Sequence, residues 1–406
     1  MKNLVLILLS VVLISCGPKS GEQDEQTKQS KENWFKGNLH THSLWSDGDD
    51  YPEMIMDWYK SNGYNFVSLT DHNVFQEGIK WSKVTKSPMR KKAFDRYLEK
   101  FGKDWVVTRE DTAGIEVRLM TLEEYRIFFE EWGKFTILKG EEISSSFDGK
   151  PLHVNATNIN TLIPEQHGNS VVEVLQNVID EVLKQRDSLG QLMFPHINHP
   201  NFRNAITIED MQQLTGERFF EVYNGHPAVK NYGEEGRAGM EEYWDQINLS
   251  YIKNNKPLMW GIATDDSHNY HMTGVEFSNA GRGWVMVNAG MLVADSIILA
   301  MERGDFYAST GVSIQNYSAD DSGISFDVIE EEGVKFIVQF LGIRKDGDQT
   351  ETFSEIRGNS ASYTFTGNEL FVRARVISNK LQVNPFQTGD YEMAWTQPVI
   401  PGSKKE

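Results

Sequence analysis

The sequence predicts an α/β fold with a mainly parallel sheet or barrel, followed by a small antiparallel β domain, and three observations carry that prediction. From about residue 34 to residue 310, short apolar runs alternate with helical patterns, as they do where strands pair side by side through helical crossovers. In most of these units a histidine- or carboxylate-bearing cluster directly follows the apolar strand. That order sets the clusters at the C-terminal edge of a sheet or barrel, where α/β barrels build their sites. From about Gly311 the runs alternate apolar with polar residues, the pattern of strands with one packed face and one wet face.

With 406 residues the chain can hold one large and one smaller domain, taking about 100 to 250 residues for each. A hydrophobic fraction of 39% and a charged fraction of 24% are ordinary for a globular protein. The formal charge of −18 argues against a coat on nucleic acid, which needs basic faces to displace counterions from phosphates. It leaves room for a small phosphorylated substrate, and carboxylates that hold cations count within that figure.

Lys2 precedes an apolar run from Leu4 to Ile14, shorter than the about 20 residues of a membrane span. Residues 1–16 read as a secretory signal, and Leu13-Ile14-Ser15-Cys16 resembles the lipidation site of a bacterial lipoprotein. Cys16 is the one cysteine in the chain, so its lipidation leaves none for a disulfide or a thiolate ligand. Residues 17–33 then form a flexible polar tether. The expected mature protein is exported and lipid-anchored to a bacterial membrane, at its periplasmic or outer face, rather than spanning it.

Pro52 to Ser61 reads as a helix opened by proline and closed near Gly63. Phe66 to Thr70 is a buried strand that runs into Asp71-His72-Asn73. Residues from about 74 to 134 form a long charged insertion, expected to be helical, whose charges make a solvated face and whose arginines and lysines are candidates for a lid. Phe135 to Leu138 delivers Gly140-Glu141-Glu142, and Leu152 to Thr157 alternates around His153. Val171 to Arg186 has amphipathic helical spacing. Three further strands lead to His196-Ile197-Asn198-His199, to Asn224-Gly225-His226 and to Asp265-Asp266-Ser267-His268. Gly333 to Phe340 and Leu370 to Val376 are strands of the β domain, read as a sandwich over 311–395, with 396–406 as a loose tail.

His40 and His42 are two residues apart, so on an extended strand both imidazoles point the same way. Asp47 follows in a glycine-containing turn. The candidates at or beside strand ends are therefore His40, His42, Asp47, His72, Glu142, His153, His199, Asp266 and His268. One histidine beside a strand is ordinarily a hydrogen-bonded structural residue. Nine such residues on successive strands call for a shared purpose. Imidazoles and carboxylates without thiolates suit zinc, manganese or iron, and nine ligands exceed what one tetrahedral ion needs. The expected cofactor is two or three divalent ions. His196, three residues before His199, fits an outer partner better than a ligand. His226, His271 and Glu221 line the pocket or satisfy the rim. Arg203 and Arg282 either clamp a phosphate by a bidentate fork or form surface ion pairs.

From roughly Trp34 to Arg303 the chain resembles the PHP family, named for polymerase and histidinol phosphatase. The likeness rests on His40-Thr41-His42 with Ser46-Asp47-Gly48, on Thr70-Asp71-His72-Asn73, on His199-Pro200 and on Asp266-Ser267-His268. It implies a distorted (β/α)7 barrel over 34–310 with two or three divalent ions. By motif, His40, His42, Glu142 and Asp266 would hold one ion. Glu142 would bridge to a second held by His153 and His199, and Asp47, His72 and His268 would hold a third. Asp47 departs from members with a histidine near this position, and Glu142 fits the Gly-x-Glu spacing better than Glu141. The implied activity is metal-dependent hydrolysis, foremost of a small phosphomonoester or phosphodiester by a hydroxide bridging two ions, with His268 or His199 as proton donor. Hydrolysis of a carbamate, ester or amide is a second reading, and a non-catalytic surface-binding lipoprotein is a third.

Overall fold

The computed structural model describes residues 32–402. The expected signal, Cys16 and nearly all of the expected tether lie outside the described residues. No helix among the described residues is long and apolar enough to cross a membrane. The chain opens with β1 (Trp34–Asn38), α1 (Pro52–Ser61) and β2 (Phe66–Leu69). The insertion holds β3 (Lys80–Lys83), α2 (Pro88–Phe101), β4 (Thr108–Asp111), β5 (Gly114–Leu119) and α3 (Leu122–Phe129). Next come β6 (Thr136–Phe147), β7 (Lys150–Thr157), α4 (Val171–Leu189), β8 (Phe194–Ile197), α5 (Ile208–Gln213), β9 (Phe219–Asn224), α6 (Met240–Lys253) and β10 (Trp260–Thr264). β11 (Trp284–Asn288), α7 (Ala294–Glu302) and β12 (Phe306–Ser309) lead to the C-terminal strands. These are β13 (Ile314–Ala319), β14 (Gly323–Val328), β15 (Phe336–Arg344), β16 (Glu351–Arg357), β17 (Ser360–Thr364), β18 (Glu369–Leu381) and β19 (Tyr391–Thr396).

Local chemistry explains the best-defined elements. α4 starts where the Ser170 hydroxyl accepts from the Glu173 N–H and stops at Gly190, whose φ of 61° is the left-handed cap that glycine takes without strain. Between these caps Val171, Val174, Leu175, Val178, Ile179 and Val182 fall on one buried stripe. Proline at the first turn of α1 costs no hydrogen bond, because that N–H has no partner in a helix.

The α/β class is as expected, but the sheet is mixed and its ladders do not close. Thirteen strands run in the order β10-β9-β8-β7-β6-β2-β1-β11-β12-β19-β18-β15-β16. β1, β2 and β6 pair in parallel, as do β8, β9 and β10. β7 is antiparallel to both β6 and β8, because Asp148-Gly149, both at positive φ, turns β6 straight back on itself. Along Trp34–Gly37, β1 pairs with β11. Beyond Asn38 that side of the chain meets the segment after β10: His42 N–H donates to the Ser267 carbonyl at 2.9 Å and Asp266 N–H to the His40 carbonyl at 3.1 Å. The curl of the sheet thus brings His40-x-His42 against Asp266-x-His268.

The expected helical insertion is only partly helical. β3, β5 and β4 form a separate antiparallel sheet, since Ile115, Val117 and Leu119 share one face, alternating with Glu116 and Arg118, and a short turn joins β4 to β5. Towards the C-terminus, β13, β14 and β17 form a second sheet. Their Ile314, Phe326 and Val328 share one core with Val338, Phe340 and Val376 of the large sheet. The expected loose tail is held as far as Gly402. Gln397 brackets the backbone of Gly261 with two 2.9 Å bonds, and Val399 exchanges two bonds with Val372.

Candidate metal centre

The nine candidate ligands converge on one mouth of the curled sheet. His40 and His42 follow β1, His72 follows β2, His199 follows β8, and Asp266 and His268 follow β10. Glu142 and His153 lie within β6 and β7 because that hairpin extends past the rim. Glu142 is the hub. One of its oxygens lies 2.9 Å from His153 Nδ1, 3.5 Å from His40 Nε2 and 3.7 Å from His199 Nε2. The other lies 2.8 Å from His72 Nδ1 and 3.3 Å from His42 Nε2. Asp266 Oδ1 sits 3.3 Å from Nε2 of both His40 and His42. Asp47 Oδ1 lies 3.3 Å from His268 Nε2 and 3.6 Å from His72 Nε2. His40, His42 and Glu142 are fully buried, whereas the Asp47 side chain is 57% exposed, so Asp47 marks the open side.

The loop from His42 to Asp50 is tied down by Asp71, whose carboxylate accepts from the Ser43 N–H and from the Ser43, Ser46 and Gln76 side chains at 2.6–2.8 Å. Gly48 is required there, because a Cβ would come within 2.5 Å of the His42 carbonyl oxygen. His199 and Asp266 take positive φ, at 26° and 48°. Backbone strain of this kind in non-glycine residues gathers at functional sites and persists only where the surroundings hold it.

Charge and tautomer favour cation binding. The His40 Nδ1 pairs with Glu221 Oε1 at 2.7 Å, and with Nδ1–H as donor the Nε2 lone pair points towards Glu142 and Asp266. Burial alone would lower the His40 imidazole, but Asp266, Glu221 and Glu142 hold it well above its ordinary range. Burial would likewise raise the Glu142 carboxyl, yet His72, His153 and His40 hold it well below. His42, buried and beside His268 and His72, is lowered to about 3 and is therefore neutral. Among the described residues, His40 Nε2 and both ring nitrogens of His42 are buried without a well-formed hydrogen bond. Such groups are costly when left unpaired, and a metal ion here would meet carboxylates that are already ionised and would displace the proton that they hold on His40. The residues therefore fit divalent ions. Groups of suitable reach are His40-His42-Glu142, His72-Glu142-His153 and His42-Asp47-His72-His268.

Behind the ligands stand Glu221 and His196, named from the sequence as rim or outer-partner candidates, and Asn198 and Asn224, which were not singled out. Glu221 accepts from Thr264 Oγ1 and Asn224 Nδ2 at 2.7 Å and from the His199 N–H at 2.8 Å, which fixes it behind His40. Its signal was a lone carboxylate inside the apolar run Phe219 to Tyr223, where burial demands partners. Asn198 donates to Glu142 at 2.8 Å and Asn224 to Asp266 at 3.1 Å. His196 is buried 3.7 Å from Glu221 and joins His40 and Glu221 as a further group of ligand types.

Arg282 is not a phosphate clamp. Its guanidinium is buried and donates to the carbonyls of Gly225 and Gly274 at 2.7 and 2.8 Å. Arg203 is exposed over the Phe202 ring, and Phe202 in turn lies between His199 and His226. The His226 Nδ1 accepts from the Ala228 N–H at 3.1 Å, so its neutral ring carries the proton on Nε2. His271 is turned away, to Asp50 and Arg96.

Fold and site together define an α/β chain with a buried histidine and carboxylate centre built for divalent cations. No family model matches the sequence, and no curated protein matches it. Among solved structures the chain is similar to a two-domain protein from Bacteroides vulgatus containing a predicted PHP-like metal-dependent phosphoesterase, at 16% identity and a TM-score of 0.42 over 91% of this chain and 96% of that one. It is similar to PsfC from Pseudomonas syringae at 11% identity and a TM-score of 0.34, over 66% of this chain and 88% of that one. An amidohydrolase from Chromobacterium violaceum with bound sulfate is similar at 12% identity and a TM-score of 0.27, over 58% of this chain and 88% of that one.

Proposed function

We propose that this chain is a metal-dependent hydrolase of the PHP type that cleaves a small phosphomonoester or phosphodiester. The observation that carries the reading is the convergence of imidazoles on the buried Glu142, with the His40 and His42 Nε2 atoms making no well-formed hydrogen bond among the described residues. His40, His42, Glu142 and Asp266 would hold one ion, Glu142, His153 and His199 a second, and Asp47, His72 and His268 a third, with His42 in reach of the last group. When bound, such ions bring the pKa of coordinated water towards neutrality and screen the charge of a phosphate. His226 offers Nε2–H to a substrate oxygen. His268, raised by Asp47 and Asp266 against its burial, would serve as proton donor to the leaving group only while it is not holding the third ion, and His199 only while it is not holding the second.

The structural use of Arg282 favours one further reading, hydrolysis of a carbamate, ester or amide, because it removes one of the two expected phosphate clamps. Aryl phosphate monoesters and diesters, aryl esters and carbamates, assayed with added zinc, manganese or iron, separate the two readings. Phosphoester turnover that disappears in Asp266→Asn supports the first, and ester or carbamate turnover alone supports the second. The lipid anchor at Cys16 is part of the same proposal, and Cys16→Ala should release the chain from the membrane fraction.

A further inference from the structure

Tyr59, fully buried on α1, presents its hydroxyl to four side chains that belong to both halves of the metal mouth. It donates to Asp265 Oδ2 at 2.8 Å and accepts from Asn38 Nδ2 at 2.8 Å. Ser267 Oγ at 3.0 Å and Thr41 Oγ1 at 3.2 Å lie within reach, and either can donate to the lone pair that remains. A second phenol closes the group. The Tyr270 hydroxyl lies 2.8 Å from Ser267 Oγ and donates to the His42 carbonyl at 3.0 Å.

The places of these partners in the sequence give the cluster its meaning. Thr41 separates His40 from His42, and Ser267 separates Asp266 from His268. The two spacers face each other in a parallel bridge. Their hydroxyls turn to Tyr59, while His40 and His42 turn to Glu142 and His268 turns to Asp47. Asn38 adds a tie, donating to the His40 carbonyl at 3.1 Å and accepting the Asp265 N–H at 3.2 Å. Asp265 is itself held, since its carboxylate also takes the N–H groups of Gly281, Arg282 and Gly283 at 2.6–2.9 Å. The two backbone bonds between the segments fix their register. The phenol adds α1, which carries none of the nine candidate ligands, as a third support.

We infer that Tyr59 is a positioning residue of the metal centre: its hydroxyl holds the His40-x-His42 pair at a set separation from Asp266-x-His268. It thereby sets the geometry in which His40, His42 and Asp266 would meet one ion and His268 another, and in this it rests on the proposed metal centre. Tyr251 on α6 supplies the contrast. Its hydroxyl is also buried and bonds the Met211 and Leu214 carbonyls and Glu217, none of them beside a candidate ligand.

The test is competition for zinc between a chromophoric chelator and the intact chain, with the visible spectrum of the cobalt-loaded chain as a second readout. Tyr59→Phe should weaken zinc affinity by about ten- to a hundredfold and alter the cobalt absorption, which follows coordination geometry. Tyr251→Phe should lose stability to denaturant while keeping the parental affinity and spectrum. If Tyr59→Phe does not fold, Tyr270→Phe carries the test, with affinity expected to fall about three- to tenfold, the scale of one net hydrogen bond. Parental affinity or an unaltered spectrum in Tyr59→Phe, or in Tyr270→Phe where it stands in, overturns the positioning role and leaves the metal centre standing. An equal loss of affinity in Tyr251→Phe does the same. A parent chain that binds neither zinc nor cobalt overturns both.

Discussion

Two buried charged clusters in this chain use similar side chains and differ in how they are completed. Where α6 meets β18, Arg373 forks onto Asp245 with two 2.8 Å bonds and reaches Glu241 at 2.8 Å, while Arg375 takes the other Glu241 oxygen at 2.9 Å. The chain supplies both the carboxylates and their cations. At the sheet mouth, His40, His42 and Glu142 are as deeply buried, yet the Nε2 atoms of both histidines face the Glu142 and Asp266 carboxylates at 3.3–3.5 Å without a well-formed hydrogen bond among the described residues. Burial of charge is tolerated where it is paired. The first cluster is paired through fixed guanidinium charge, and the second faces its carboxylates with imidazoles alone, whose protons a divalent ion can replace.

The largest effect that would break this contrast is at its hub. Glu142→Ala should reduce kcat/KM by on the order of a thousandfold, the several kcal/mol that metal ions supply to such transition states, and should reduce bound metal in parallel. Activity and metal content that both persist would remove Glu142 from the centre. In the self-paired cluster the loss should fall on stability instead. Arg373→Met leaves Asp245 and Glu241 without their fork and should cost about 3–5 kcal/mol in a denaturant titration, with metal per folded chain unchanged. Glu221→Gln sharpens the comparison, since it keeps the fold but loosens the His40 ring. It should weaken metal affinity by about ten- to a hundredfold in a competition titration.

The smallest effect belongs to a buried acid outside both clusters. Burial raises the Glu217 carboxyl to about 7, partly offset by the Tyr251 hydroxyl that donates to it. In the unfolded chain the same group titrates near 4.5. The folded state therefore holds a proton that the unfolded state has released between those values. Its contribution to stability is complete below pH 4.5 and is lost as the pH climbs through 7. Glu217→Gln should flatten the fall in Tm across that interval; an identical slope in the variant would show that the group is not the source.

Much of the centre was legible in the sequence because most of the candidate ligands follow a short apolar strand, and strand ends are a local property; Glu142 and His153 lie within β6 and β7 instead. His40-x-His42, His72 after Phe66 to Leu69, and Asp266-x-His268 after β10 all converge on that logic. The antiparallel β7 was not anticipated, although Asp148-Gly149 carried the hairpin signal, because its consequence for closing a parallel barrel depends on β8 as well. The role of Arg282 was equally hidden. A glycine-flanked arginine reads the same whether it faces a phosphate or the carbonyls of Gly225 and Gly274, and only long-range packing decides between them. In the insertion, a run rich in charge masked the alternation of Ile115, Val117 and Leu119.

Recruitment of divalent ions by the carboxylates and imidazoles of the mouth is directly measurable. Elemental analysis of the purified chain, alongside Glu142→Ala and Arg373→Met, tests it most directly. Two or three divalent ions per chain are expected in the parent and in folded Arg373→Met, with loss in Glu142→Ala. A parent chain that stays metal-free after incubation with zinc, manganese and iron would contradict it.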